Sequence, residues 1–112
     1  MKNNIDLVQA QLEAYNTCDL VKFIESYHPE IVVKLLMDDK IIIQGMKEFI
    51  TTYENLFKLH PAQICHLKSR VITNDSVIDE EFITGRSSNP DGLHAVAIYG
   101  FRENLIDRVW FI

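Results

Sequence analysis

The chain has 112 residues, 47% of them apolar and 24% charged, so one core and a single domain spanning residues 1–112 are expected. Its 16 acids outweigh 11 Lys and Arg to give a net charge of −5, and Lys34, Lys40, Lys47, Lys58, Lys68 and Arg70 form no cluster, which argues against nucleic-acid binding. No apolar run approaches a membrane span and no signal-peptide stretch opens the chain, so a cytoplasmic protein without membrane contact is expected.

Ile5, Val8, Leu12 and Tyr15 recur at helical spacing and predict a first helix over residues 4–16. Asn16-Thr17-Cys18-Asp19 interrupts it, with Asp19 suited to cap a second helix that carries Leu20, Phe23, Ile24 and Tyr27 and stops at His28-Pro29. Ile31 to Met37 and Ile41-Ile42-Ile43, joined by Asp38-Asp39-Lys40, form a predicted hairpin. Gly45 breaks the second strand. Met46, Phe49, Ile50, Tyr53, Leu56 and Phe57 then mark a third helix ending at His60-Pro61.

The remainder is predicted strand: residues 62–73, Val77 to Gly85, Leu93 to Phe101 and Leu105 to Ile112. Asn74-Asp75-Ser76 and the polar stretch from Arg86 to Gly92 supply turn chemistry. The last two strands face each other across Arg102-Glu103-Asn104, and the large apolar residues of the final strand must be buried in the sheet. Early helices and a late meander indicate an α+β domain with helices packed on the concave face of a curved antiparallel sheet. Such a layout leaves a concave apolar site for a small molecule.

Cys18 and Cys65 are expected to be small buried thiols, and His28, His60, His66 and His94 show no metal-ligand spacing. Neither a metal nor a cofactor is implied.

In order and spacing, Tyr15-Asn16-Thr17-Cys18-Asp19-Leu20, Tyr27-His28-Pro29-Glu30-Ile31 and Gln44-Gly45-Met46-Lys47-Glu48-Phe49-Ile50 form a family pattern. Val77 to Gly85 and the closing Leu105 to Ile112 complete it, and together the segments resemble the NTF2-like superfamily, within it the SnoaL-like and ketosteroid-isomerase-like proteins. The resemblance spans essentially the whole chain. It implies a cone-shaped, cystatin-like α+β barrel around a pocket, and a homodimer through the outer sheet face. It does not fix an activity. Ketosteroid isomerase uses an Asp base with an oxyanion hole of Tyr and protonated Asp. On this chain those positions fall on Leu35, Gln11 and Ala97, or on Ala95 in place of Ala97 with a shift of two. Steroid isomerisation by that mechanism is therefore disfavoured.

The same frame directs Tyr15, Tyr27, Tyr53, Tyr99, Phe82, Arg108, Trp110 and Ile112 into the cone, with Val109 and Phe111 on the outer face. A candidate pocket thus comprises Gln11, Tyr15, Tyr27, Leu35, Tyr53, Phe82, Ala97, Tyr99, Arg108 and Trp110. The one dense acidic cluster, Asp79-Glu80-Glu81, supplies a catalytic candidate. The frame points Glu80 inward beside Arg108, whereas a bulge in that strand would turn Glu81 inward instead. A carboxyl group in an apolar cone has a raised pKa suited to proton transfer. Alternatively, an inward acid is held ionised by Arg108, or the acids stay solvated.

Two functional expectations follow. One is a small homodimer binding a compact apolar molecule, with isomerase-, dehydratase- or cyclase-type proton transfer by Glu80 or Glu81. The other is a non-catalytic protein of the same fold, either a ligand-binding module or a dimerisation or interaction module whose cone is filled by its own side chains. A redox or metal role for the Cys and His residues has no supporting spacing.

Overall fold

In a computed structural model, which describes residues 3–112, helix α1 (Asn4–Asn16) starts where the Asn3 side chain accepts a hydrogen bond from the Asp6 amide at 2.9 Å. Helix α2 (Leu20–Ile24) is capped in the same way by Asp19. Strands β1 (Tyr27–Leu35) and β2 (Lys40–Gln44) form the first hairpin. Helix α3 (Met46–Leu59) then precedes β3 (Ile64–Ile72), β4 (Ser76–Thr84), β5 (Leu93–Arg102) and β6 (Leu105–Phe111).

The strands make one unclosed sheet in the order β2-β1-β6-β5-β4-β3. All neighbours are antiparallel except β1 and β6, which run parallel. Irregularities at Val33/Lys34, Leu67/Ser69 and Gly100/Phe101 bend the strands around the helices. The bent sheet and three helices are the α+β arrangement expected. None of the helices is long and apolar enough to cross a membrane among the described residues.

The second helix is shorter than its apolar spacing predicts. It ends at Ile24, and Tyr27 opens β1, paired with Ile106. The Ser26 carbonyl accepts from the Ile106 amide at 2.9 Å, so sheet pairing starts before Pro29 can act as a helix stop. Pairing with β6 then lapses until Val32, which accommodates a proline that has no N–H to offer.

The β5–β6 turn places Glu103 and Asn104 at positive φ (54° and 63°), the pairing that a two-residue hairpin of matching twist requires. Beyond the turn, Asp107 has no partner in β5: Ile106 faces Phe101, whereas Arg108 faces Gly100. That extra residue reverses the alternation of β6. Val109 and Phe111 therefore point to the concave side, while Arg108 and Trp110 point outward, opposite to expectation.

At the centre of the core is Phe23, 1% exposed and ringed by Tyr15, Tyr27, Phe49, Tyr53 and Phe57 with centroids 4.7–6.0 Å away. These rings join the short α2 to α1, α3 and β1. Asn16 fastens the end of α1 to β3: its amide accepts from the Cys65 N–H at 2.8 Å and donates to the Cys65 carbonyl at 3.0 Å.

Candidate functional site

Between the helices and the concave sheet lies a cavity of about 380 Å3. Ile42 and Ile112 line it while remaining exposed, so they form part of its rim. All four tyrosines of the chain line it, together with Gln11 and Leu35. Ala97 faces the same side but is fully buried opposite Asp79, and Ala95 takes its place in the cavity wall.

Strand β4 alternates without interruption. Val77, Asp79, Glu81 and Ile83 are all buried on the concave side, and Glu81 lines the cavity. Glu80 and Phe82 are on the convex face, contrary to the inward orientation expected of them. The irregularity beside the acidic cluster is in β3, where Lys68 is the extra residue between Leu67 and Ser69. Glu80 accepts from Ser69 Oγ at 2.9 Å and meets His94 Nε2 at 2.7 Å, contacts that hold its carboxyl below the usual range. Phe82 lies under the Lys68 ammonium. Arg108, also outward, covers Gly100 and stacks on Trp110 at 5.4 Å.

Glu81 occupies the opposite environment. Burial disfavours its charged form, and the nearby Asp79 carboxylate repels it further. The Cys65 thiol, Arg70 and Arg86 oppose these effects without cancelling them, and the carboxyl pKa is pushed up to about 7. Burial and the adjacent Glu81 raise the Cys65 thiol as well, so it is not a thiolate nucleophile at neutral pH.

Two hydrogen-bonded networks flank this acid, the first of neutral side chains and the second of two neutral side chains with Arg86. Tyr27 donates to Gln11 Oε1 at 2.7 Å, and Gln11 Nε2 donates to the Val8 carbonyl and to Tyr99 Oη. In the second, Tyr15 donates to Gln63 Oε1, which also accepts from Arg86 Nε at 2.9 Å, while Arg86 Nη2 donates to Tyr15 Oη at 2.8 Å. Burial raises the pKa of all four tyrosines, keeping them neutral donors. The Tyr53 hydroxyl has no hydrogen-bond partner among the described residues, and is free to meet a ligand.

Sequence reasoning missed Arg86, Gln63 and the buried pair Arg70–Asp79. Arg86 stands in a stretch dominated by turn residues, and nothing in its neighbours announces a side chain that folds back. Gln63 follows a Pro-Ala turn and is fully buried. Among the described residues no cluster of three metal-ligating side chains is present.

Neither a protein-family model nor a curated protein matches the chain. Solved structures do. An uncharacterised cystatin-fold protein from Novosphingobium aromaticivorans superposes with a TM-score of 0.89 at 19% identity, over 100% of this chain and 99% of the other. An NTF2-like protein of unknown function from Cytophaga hutchinsonii gives 0.80 at 14% identity, covering 100% and 90%. A protein proposed as a polyketide cyclase, from Sinorhizobium meliloti, gives 0.81 at 15% identity, covering 96% and 94%. The chain therefore carries the cystatin-like, NTF2-like fold.

Proposed function

We propose that this protein binds a compact, largely apolar organic molecule in its cavity and performs proton transfer on it with Glu81. The observation that carries the reading is a buried carboxyl group titrating at about 7, facing a cavity of about 380 Å3. A general acid or base works best when its pKa lies near the working pH. The four neutral tyrosines supply ring surface and hydroxyls around a substrate, and the reaction class is isomerisation, dehydration or cyclisation. Likeness to a protein proposed as a polyketide cyclase agrees with that class. The open cavity weighs against the module whose cone is packed by its own side chains. Leu35 and Ala97 leave no acid where ketosteroid isomerase needs one, so steroid isomerisation is not part of the proposal.

5-Nitrobenzisoxazole is a compact aromatic probe for a desolvated carboxylate base. Loss of its C3 proton to the base breaks the N–O bond and releases a coloured phenolate. The wild type should accelerate this elimination with a rate that rises through the Glu81 pKa. Glu81→Gln should lose on the order of 100-fold or more of the acceleration, whereas Glu80→Gln should retain it. An unchanged rate in folded Glu81→Gln would end the catalytic reading.

The protein is further proposed to be a cytoplasmic homodimer joined through the convex face of the sheet. All three helices pack on the other side, and Val71, Ile78, Phe82, Ile98 and Trp110 are left incompletely buried on this one. Sedimentation equilibrium at micromolar concentration should give twice the 13.0 kDa chain mass, and Ile98→Asp should give the single chain. A wild-type monomer under those conditions would refute the dimer.

A further inference from the structure

We propose that the cavity is selective for an apolar molecule carrying one oxyanion, a carboxylate or an ionised enol, and that Arg86 is the residue that binds it. The proposal rests on the reading of the cavity as a small-molecule site and specifies the chemical class of its ligand.

Arg86 is placed by local geometry. Gly85 has φ +85°, and a Cβ there would come within 2.6 Å of the Ala62 carbonyl oxygen. The strand end thus runs hard against the segment leading into β3. That approach brings the next side chain to Gln63 and Tyr15, whose oxygens accept from Nε and Nη2. Both acceptors are neutral, so the guanidinium is fixed in orientation but keeps its charge. Nη1 has no acceptor among the described residues.

The other three arginines differ. Arg70 pairs with Asp79, Arg102 with Glu30 and Asp107, and Arg108 with Asp107. Among the described residues Arg86 alone of the four has no carboxylate partner, and it alone lines the cavity. A half-buried cation without a counter-ion is unfavourable unless something else supplies the negative charge.

Glu81 lines the same cavity yet makes no ion pair with Arg86. While Glu81 holds its proton, Arg86 is, among the described residues, the one permanently charged residue lining the cavity: Asp79 is matched by Arg70, and His94, which also lines the cavity, is paired with Glu80. Screening over about 8 Å at physiological salt keeps the overall charge from cancelling that local field. The arrangement also suits the proposed chemistry. When ionised Glu81 takes a C–H proton beside a carbonyl, the C–H pair becomes a C=C bond and the carbonyl π pair moves to oxygen. The oxygen then bears the charge that Arg86 is positioned to receive.

The test compares 2-naphthoate with the neutral, near-isosteric 2-naphthamide by titration calorimetry at about pH 6, where the first is ionised and most of Glu81 is protonated. Wild-type protein should bind naphthoate about 10-fold to 100-fold more tightly, the net strength of a charge-assisted hydrogen bond. Arg86→Gln should bind both probes like the amide, and Arg86→Lys should keep part of the preference. Equal affinities in the wild type would overturn the role of Arg86 while leaving an apolar ligand site in place. Failure of both probes to bind the folded wild type would remove the site and the selectivity together. The wild-type comparison stands even if Arg86→Gln does not fold.

Discussion

Glu81→Gln is expected to make the protein more stable than the wild type in mildly alkaline solution and no more stable in acid. The Glu81 pKa rises from its ordinary value of 4.5 to about 7 in the folded chain. Between those limits the native state holds a proton that the unfolded state has released. Its stabilising share is therefore complete below about 4.5 and is lost as pH rises through about 7. Above that, folding must bury an ionised carboxylate in an apolar wall next to Asp79. At roughly 1.4 kcal/mol per pH unit the difference comes to about 3 kcal/mol. Glutamine keeps the shape without the charge, so it escapes this penalty. Urea unfolding of both proteins across that range should show the variant gaining on the wild type by up to about 3 kcal/mol as pH rises. A constant offset at every pH would mean that Glu81 does not titrate near neutrality. The substitution proposed to abolish catalysis is thus the one that should stabilise the fold, as expected of a group kept for its chemistry rather than its packing.

Helices, strands and their order were legible because each rests on short-range rules: helical spacing, Asn and Asp caps, and turn residues. The direction in which strand residues point was not. An alternating sequence such as Val77-Ile78-Asp79-Glu80-Glu81-Phe82-Ile83 has apolar residues on both faces, and only its partners decide which face is enclosed. Asp107 in β6 and Lys68 in β3 are each an unpaired residue, and neither has a glycine beside it in its own strand. The first was enough to exchange Arg108 and Trp110 for Val109 and Phe111. The four tyrosines were easier to place because a ring with one hydroxyl suits a half-enclosed wall. Arg86 was out of reach, since its position depends on how closely Gly85 passes the Ala62 backbone, a contact between residues far apart in the chain.

Removing Arg70 should be far more damaging than any change at the rim. Asp79 is fully buried, and Arg70 grips it with two bonds, Nε to Oδ1 at 2.7 Å and Nη2 to Oδ2 at 2.9 Å. Its third nitrogen donates to Gln9 of α1 at 3.0 Å, so the same guanidinium ties the helix to the sheet. Arg70→Leu leaves a buried carboxylate without its counter-ion, at about 3–5 kcal/mol. A domain of this size has only about 5–15 kcal/mol in total. Adding Asp79→Asn removes the stranded charge, and the double variant should recover more than half of the loss, a non-additivity that denaturant unfolding of all four proteins would measure. Equal losses in Arg70→Leu and the double variant would show that the pair contributes through packing alone. The pair also acts on Glu81 in opposite senses, Asp79 raising its pKa and Arg70 lowering it, with Asp79 the stronger. Asp79→Asn alone should therefore shift the pH profile of benzisoxazole cleavage to lower pH. The buried ion pair is in this way a structural clamp, and through Asp79 it adds to the burial that keeps the cavity acid protonated close to neutrality.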